Sequence, residues 1–188
     1  LRQGLAGPIR AAPAGLRIGR IEDIQRVDIR TVPFEEDGPQ RITHDASKST
    51  YGVVCLRRDI NRSTGEQTTQ GSIKILDDES FEGARTVLSH LQCQSTDASF
   101  TVLADLPLLE EEEGQSICVM TVGADKCYAI GTTFVRPGET EPSSGRILLV
   151  AQHGSDRSFH QVATHNIAGC PYAIVEPVLG HLAAAVNS

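Results

Sequence analysis

Histidines, carboxylates and cysteines are the side chains here that could hold a metal, move a proton or attack a carbon. His153, His160 and His165 lie close together, but intervals of seven and five residues match neither an HExxH helix nor a zinc-finger spacing. In a regular strand from Phe159 to His165, His160 and His165 would point to opposite faces. Asp77-Asp78-Glu79 lacks the rest of a calcium loop. Glu139 and Glu141 flank Thr140, so an extended loop would project both carboxylates the same way. As a glycosidase pair they would need sugar-binding surroundings, which the sequence does not offer. They fit either a small acidic contact patch for a basic partner or solvating charges.

The five cysteines, Cys55, Cys93, Cys118, Cys127 and Cys170, are odd in number and show no CxxC spacing, which fits reduced thiols. A Cys118–Cys127 bridge would require the two to sit on paired strands. Asn61-Arg62-Ser63 is a glycosylation sequon without a secretory signal beside it. GxSxG, GxxxxGK[ST] and GxGxxG motifs are all missing. The expectation is a protein that is not an enzyme, with no cofactor and no metal.

The bulk numbers point the same way. The 188 residues carry a net charge of −7, with Lys and Arg scattered, whereas a grip on nucleic-acid phosphates calls for a basic patch. Hydrophobic residues make up 39% and aromatics 4%, with no Trp, which allows a modest core. No apolar run approaches the roughly 20 residues of a membrane helix. The first residue is Leu1, and residues 1–17 carry Arg, Gly, Pro and Ala without an apolar signal region. This reads as a disordered lead-in to a piece of a longer protein or to a processed one.

What would position such residues is a succession of short strands. Tyr128 to Val135 is rich in β-branched and aromatic residues, Pro137 to Gly145 are loop residues, several of them turn formers, and Ile147 to Ala151 is an apolar run suited to a strand buried on both faces. This hairpin is the centre of the pattern. Before it, strands are expected at Asp23 to Phe34, Gln40 to His44, Tyr51 to Leu56, Ser72 to Leu76, Phe100 to Leu109 and Ser116 to Val122. Arg57 to Gly71 reads as a polar loop, Glu110 to Glu113 as a solvated charge run, and Phe81 to Leu91 as a strand or a short helix. After the hairpin come Ser158 to His165, Pro171 to Val175 and His181 to Val186. Tyr128 is expected in the core or at an edge with its hydroxyl in solvent. A unit of two apolar strands joined by a turn recurs at Gln40 to Leu56, Ser116 to Phe134 and Pro171 to Val186. The first two units are followed by a third strand and an exposed fourth. The expected fold is all-β, a partial propeller of about two and a half four-stranded antiparallel blades over residues 18–188. Such a fragment leaves an inter-blade face uncovered, which predicts poor folding or aggregation of the isolated chain.

Two stretches carry a family resemblance. Asp23-Ile24-Gln25-Arg26-Val27-Asp28-Ile29-Arg30-Thr31-Val32-Pro33 resembles the strand that opens the third propeller in the family of large DNA damage-binding subunits, the adaptors of cullin-4-type ubiquitin ligases. Gly131-Thr132-Thr133-Phe134-Val135-Arg136-Pro137, followed by Glu139, Glu141-Pro142 and Gly145-Arg146-Ile147, is similar to the next blade of that propeller. The spliceosomal and the cleavage and polyadenylation (CPSF A) propeller subunits share weaker versions, which makes an RNA-processing scaffold that binds nucleic acid the alternative function.

The resemblance implies a nuclear, also cytoplasmic, scaffold in DNA repair and protein ubiquitination. It would dock substrate-receptor proteins and a cullin assembly, touch DNA only through a partner, and not engage a membrane. It implies docking of partner proteins at Glu139 and Glu141, while Arg41, expected where an inner strand begins and so at the rim of the channel or top face of a propeller, fits a partner contact or a structural ion pair. The sequence departs from the family pattern in three ways. Only the start of the third propeller is covered. An insertion of roughly twenty residues is expected around residues 82–99, between two candidate turns, Asp77 to Phe81 and Asp97 to Phe100. Gln40-Arg41 stands where the family tends to have a basic pair.

Overall fold

The computed structural model describes residues 15–23, 26–65, 67–78, 101–154 and 156–187, with side chains from residue 31 onward. Every element in it is a strand. The expected insertion at 82–99 and the Phe81 to Leu91 element lie outside the described residues. So do residues 1–14 of the lead-in, and strand structure already begins at Gly15.

β1 (Gly15–Asp23) and β2 (Arg26–Pro33) form an antiparallel hairpin. β3 (Asp37–Asp45), β4 (Thr50–Ile60), β5 (Gln67–Asp77) and β6 (Val102–Pro107) follow as one antiparallel sheet in chain order. β7 (Glu112–Val122), β8 (Asp125–Phe134), β9 (Ser144–His153) and β10 (Ser158–Ala168) form a second sheet of the same topology. β11 (Pro171–Val178) and β12 (His181–Val186) begin a third. Two complete four-stranded meanders and a half are the expected partial propeller. Among the described residues no helix is long and apolar enough to cross a membrane.

Three apolar layers separate the sheets, because alternate residues of each strand face alternate layers. Val54, Ile73 and Ile75 of the first sheet meet Tyr128, Ile130, Leu148, Val150 and Phe159 of the second, with Leu108 alongside. Val53, Cys55 and Leu76 turn the other way, onto Val32 and Phe34. Met120, Cys127 and Ala129 turn from the second sheet onto Ile174, with Leu149 and Ala151 packed against them. The run around β9 is thus covered on both faces, Leu148 and Val150 on one side, Leu149 and Ala151 on the other. Each side chain taken fully from water contributes about 1.5–3 kcal/mol. In β11, Tyr172, Val175 and Val178 stay exposed.

The Arg57 to Gly71 stretch is not a loop. β4 runs on to Ile60 and β5 starts at Gln67, pairing Ile60 with Gln67 around a turn at residues 61–65. The neighbouring strands stop short of this arm, since β3 begins opposite Arg57 and β6 ends opposite Ser72. A two-stranded arm with water on both faces needs no apolar alternation, which is why its polar residues read as loop.

One charged residue from each strand of the first sheet joins a single network. Lys74 of β5 bonds Asp37 of β3 at 3.0 Å and also Asp105 of β6, and Arg57 Nε of β4 donates to Asp37 at 2.9 Å. Cys55, Cys118, Cys127 and Cys170 are free thiols. Cys118 faces Ala129 and Cys127 faces Met120, so the pair is diagonal rather than directly opposed. Burial pushes the Cys55 thiol up to about 12 and Cys118 up to about 11, which keeps both protonated and unreactive.

Tyr128 corrects a second expectation. It is buried in the inter-sheet core, and its hydroxyl reaches protein rather than solvent. It lies 2.7 Å from Thr50 Oγ1 and donates to the Thr50 carbonyl at 2.9 Å. Tyr128→Phe keeps the ring but deprives the Thr50 carbonyl of its donor and the Thr50 hydroxyl of its acceptor in the core. The expected result is a loss of about 1–3 kcal/mol in urea unfolding, with an unchanged m-value.

Candidate functional site

Interaction surfaces on a sheet scaffold sit in its connections, and the longest described connection, residues 135–143, joins β8 to β9. Its base is held by one carboxylate. Glu112, the first residue of β7, is 1% exposed. It receives Arg146 Nε and Nη2, both at 2.6 Å, in a two-pronged ion pair from β9. Thr132 Oγ1 of β8 donates to the same carboxylate, and so does the Leu109 amide, at 2.9 Å. A single side chain thereby ties β7, β8 and β9 to the turn that enters the sheet. That turn in turn supports the loop, since the Val135 amide donates to the Glu111 carbonyl at 2.8 Å.

Burial pushes the Glu112 carboxyl up, but the hydrogen bonds from Arg146, Thr132 and Leu109 and the charge on Arg146 outweigh it. The group is held below the ordinary glutamate range. Phe134 closes the base, with the Arg136 and Arg146 guanidinium carbons 6.0 and 5.9 Å from its ring centre.

This overturns the reading of Glu110 to Glu113 as a solvated charge run. Glu110 and Glu111 are exposed, but Glu112 is inside. The overlooked signal is Arg146 next to the apolar run of β9, since a guanidinium that close to a core needs a carboxylate partner.

The three expected contact residues are placed as follows. Glu139 and Glu141 are both exposed on the β8–β9 loop, which is not extended. The Glu139 amide turns back onto the Arg136 carbonyl at 3.2 Å. Its carboxylate accepts from Ser143 Oγ at 3.0 Å and lies 3.8 Å from Arg136 Nη1. Glu141 instead accepts from Asn187 Nδ2 at 3.3 Å, beyond the end of β12. The two carboxylates share a loop but have different partners. Arg41 belongs to the other four-stranded sheet. It is exposed, beside the bulge between Pro39 and Arg41, and its Nη1 donates to the Gln40 carbonyl at 2.9 Å. It lies four residues inside β3 rather than at its start.

The stacked sheets and the clamped hairpin define an architecture that comparison with known proteins identifies. The family model of the CPSF A subunit region matches residues 88–188, more than half of the chain. The chain belongs to the CPSF A subunit family. Among its curated relatives are DNA damage-binding proteins. It is 32% identical over 174 residues to DNA damage-binding protein 1a of Arabidopsis thaliana, a match spanning 92% of this chain and 14% of the relative. It is 35% identical over 136 residues to protein 1b of the same plant, covering 71% of this chain and 10% of the relative. It is 30% identical over 180 residues to DNA damage-binding protein 1 of Drosophila melanogaster, covering 85% and 16%. The chain thus spans about one seventh of the length of these relatives. As a CPSF A region it is part of a β-propeller scaffold, and the clamp at Glu112 fixes one of its surface loops.

Proposed function

We propose that this chain is part of the adaptor that links substrate receptors to a cullin-4-type ubiquitin ligase, acting in the nucleus, and also in the cytoplasm, in the response to DNA damage. Its role is to present loops on a rigid frame without catalysis, and Glu139, Glu141 and Arg41 are the partner contacts. The relatives' names supply the link to DNA damage, and the net charge of −7 favours DNA contact through a partner over a direct grip on phosphates. The observation that carries the reading is the exposed acidic loop built on a buried, fully bonded Glu112–Arg146 base. Such a base lets a loop offer charge without the entropic cost of being ordered on binding.

The test is co-purification from nuclear extract followed by a charge-reversal comparison. Wild-type protein should return a cullin and receptor proteins. E139R/E141R should weaken receptor binding about tenfold, or about 1.4 kcal/mol, with an unchanged melting temperature. Recovery of splicing or polyadenylation factors instead would assign the scaffold to RNA processing. Unchanged receptor binding in the charge reversal would remove the loop from the interface.

A further inference from the structure

The β9–β10 connection brings together two of the histidines whose spacing alone suggests nothing. The register sets Ser158 opposite His153 and His160 opposite Ala151, so His153 and His160 are diagonal neighbours on one face of the sheet. Their ring centres lie 6.0 Å apart with planes at 76°, and both residues are exposed. His165 stands apart for a different reason than alternation predicts. The bulge between Gln161 and Ala163 sets it opposite Ile147, on the same face as His160. It lies five positions further along β10, roughly 15 Å at about 3.3 Å per residue.

The surroundings of His160 select its tautomer. Ser158 Oγ donates to Asp156 Oδ1 at 2.7 Å, and the Ser158 amide donates to the same oxygen at 3.1 Å. His160 Nε2 lies 3.1 Å from that Ser158 Oγ. A hydroxyl whose proton points at Asp156 can only accept from the imidazole. The His160 proton therefore sits on Nε2, and Nδ1 keeps a bare lone pair. A carboxylate that orients an imidazole through its N–H, here relayed by Ser158, is the support that metal-binding histidines use.

We propose that His153 and His160 form a two-imidazole surface site for a late first-row divalent cation, Cu2+ or Zn2+, with water completing its coordination. Imidazole nitrogen suits both ions. With metal–nitrogen bonds of about 2.0–2.1 Å, two imidazoles on one tetrahedral ion place their ring centres roughly 5 Å apart, so these rings need close by only about 1 Å. The nearby Asp156 carboxylate and the acidic chain as a whole favour a cation. No third His, Cys, Asp or Glu converges to make a larger metal cluster among the described residues, which sets the expected affinity well below that of a structural zinc site.

Copper titration tests this. Cu2+ added to the protein should bind one equivalent with micromolar affinity, and its electron paramagnetic resonance spectrum should show coupling to two nitrogens. Zn2+ should compete only in large excess, since imidazoles hold Cu2+ more tightly, and acid should weaken binding as protons compete for the ring nitrogens. His153→Ala and His160→Ala should each weaken binding at least tenfold, His165→Ala should leave it unchanged, and Ser158→Ala should weaken it severalfold. Circular dichroism of each variant controls for folding. Copper bound equally well by the His153→Ala and His160→Ala variants, or coupled to one nitrogen only, would overturn the assignment.

Discussion

Glu112→Ala should cost about 3–5 kcal/mol of stability, the largest loss expected from any charged position in this chain. The substitution removes a small hydrogen-bonding side chain but takes a partner from three groups. Arg146, whose side chain is 14% exposed, becomes a nearly buried cation without a counter-charge, the Leu109 amide loses its acceptor, and Thr132 Oγ1 is left with the longer bond to the Arg146 carbonyl at 3.3 Å. Breaking one half of a buried pair costs about this much, because the remaining charge cannot recover its hydration. The same reasoning predicts partial rescue. Glu112→Leu combined with Arg146→Met removes both charges and should recover at least half of the loss, since an apolar pair of similar volume carries no desolvation penalty. Equilibrium unfolding in urea of the two single variants and the double variant measures this directly. A Glu112→Ala loss below about 1 kcal/mol would mean that the pair contributes no more than a surface contact.

The pair also sets an acid limit. The folded Glu112 carboxyl is more acidic than the ordinary value of 4.5, and the folded Asp37 carboxyl, despite its burial, is held below 3.8 by Lys74 and Arg57. In both cases the unfolded chain takes up the proton first. Their stabilisation is therefore complete above the unfolded values and disappears as pH falls through the lower folded ones. Melting temperature should fall steeply below about pH 4.5, and Glu112→Gln should flatten that fall.

How far the sequence discloses all this depends on where the information sits. β9 was legible because its alternate residues are apolar toward both layers, and the blade repeat was legible because the turns between strands are rich in Gly, Pro and Asp. The arm within Arg57 to Gly71 was not, because strands solvated on both sides carry no hydrophobic period. Glu112 was hidden for the opposite reason. It stands in a row of four glutamates and differs from its neighbours only through Arg146, 34 positions away. The Tyr128 hydroxyl was misplaced because its partner, Thr50, is 78 positions away on another sheet. Glu139 and Glu141 were located correctly on the loop, but the turn at Arg136 to Glu139 that separates their carboxylates is a backbone feature that residue types alone do not fix.

Gly114→Ala should be strongly damaging at the seam between the two four-stranded sheets, costing about 1–3 kcal/mol by overpacking. The seam closes by reciprocal fit. Gly52 of β4 leaves room for the Tyr128 ring, where an added Cβ would stand 2.8 Å from the ring carbons. Gly114 of β7 leaves room for Val54, where an added Cβ would stand 2.2 Å from Cγ1. Each sheet supplies a missing side chain opposite the other's large one, which is how two twisted sheets approach closely without a void. A carbon at 2.2 Å cannot be absorbed by a rotamer change at Val54, because a β-branched residue has few alternatives and this one is fully buried. The strain should therefore belong to the Val54 methyl and not to the backbone. In the double variant Gly114→Ala/Val54→Ala the offending Cγ1 is gone and the next contacts are with Cβ, at 3.4 Å. The two changes should then cost less together than the sum of their separate losses, by about 0.5–3 kcal/mol, as touching residues do. Additive losses in a double-mutant cycle would place the strain in the backbone of β7 and show that the seam is not closed by this contact.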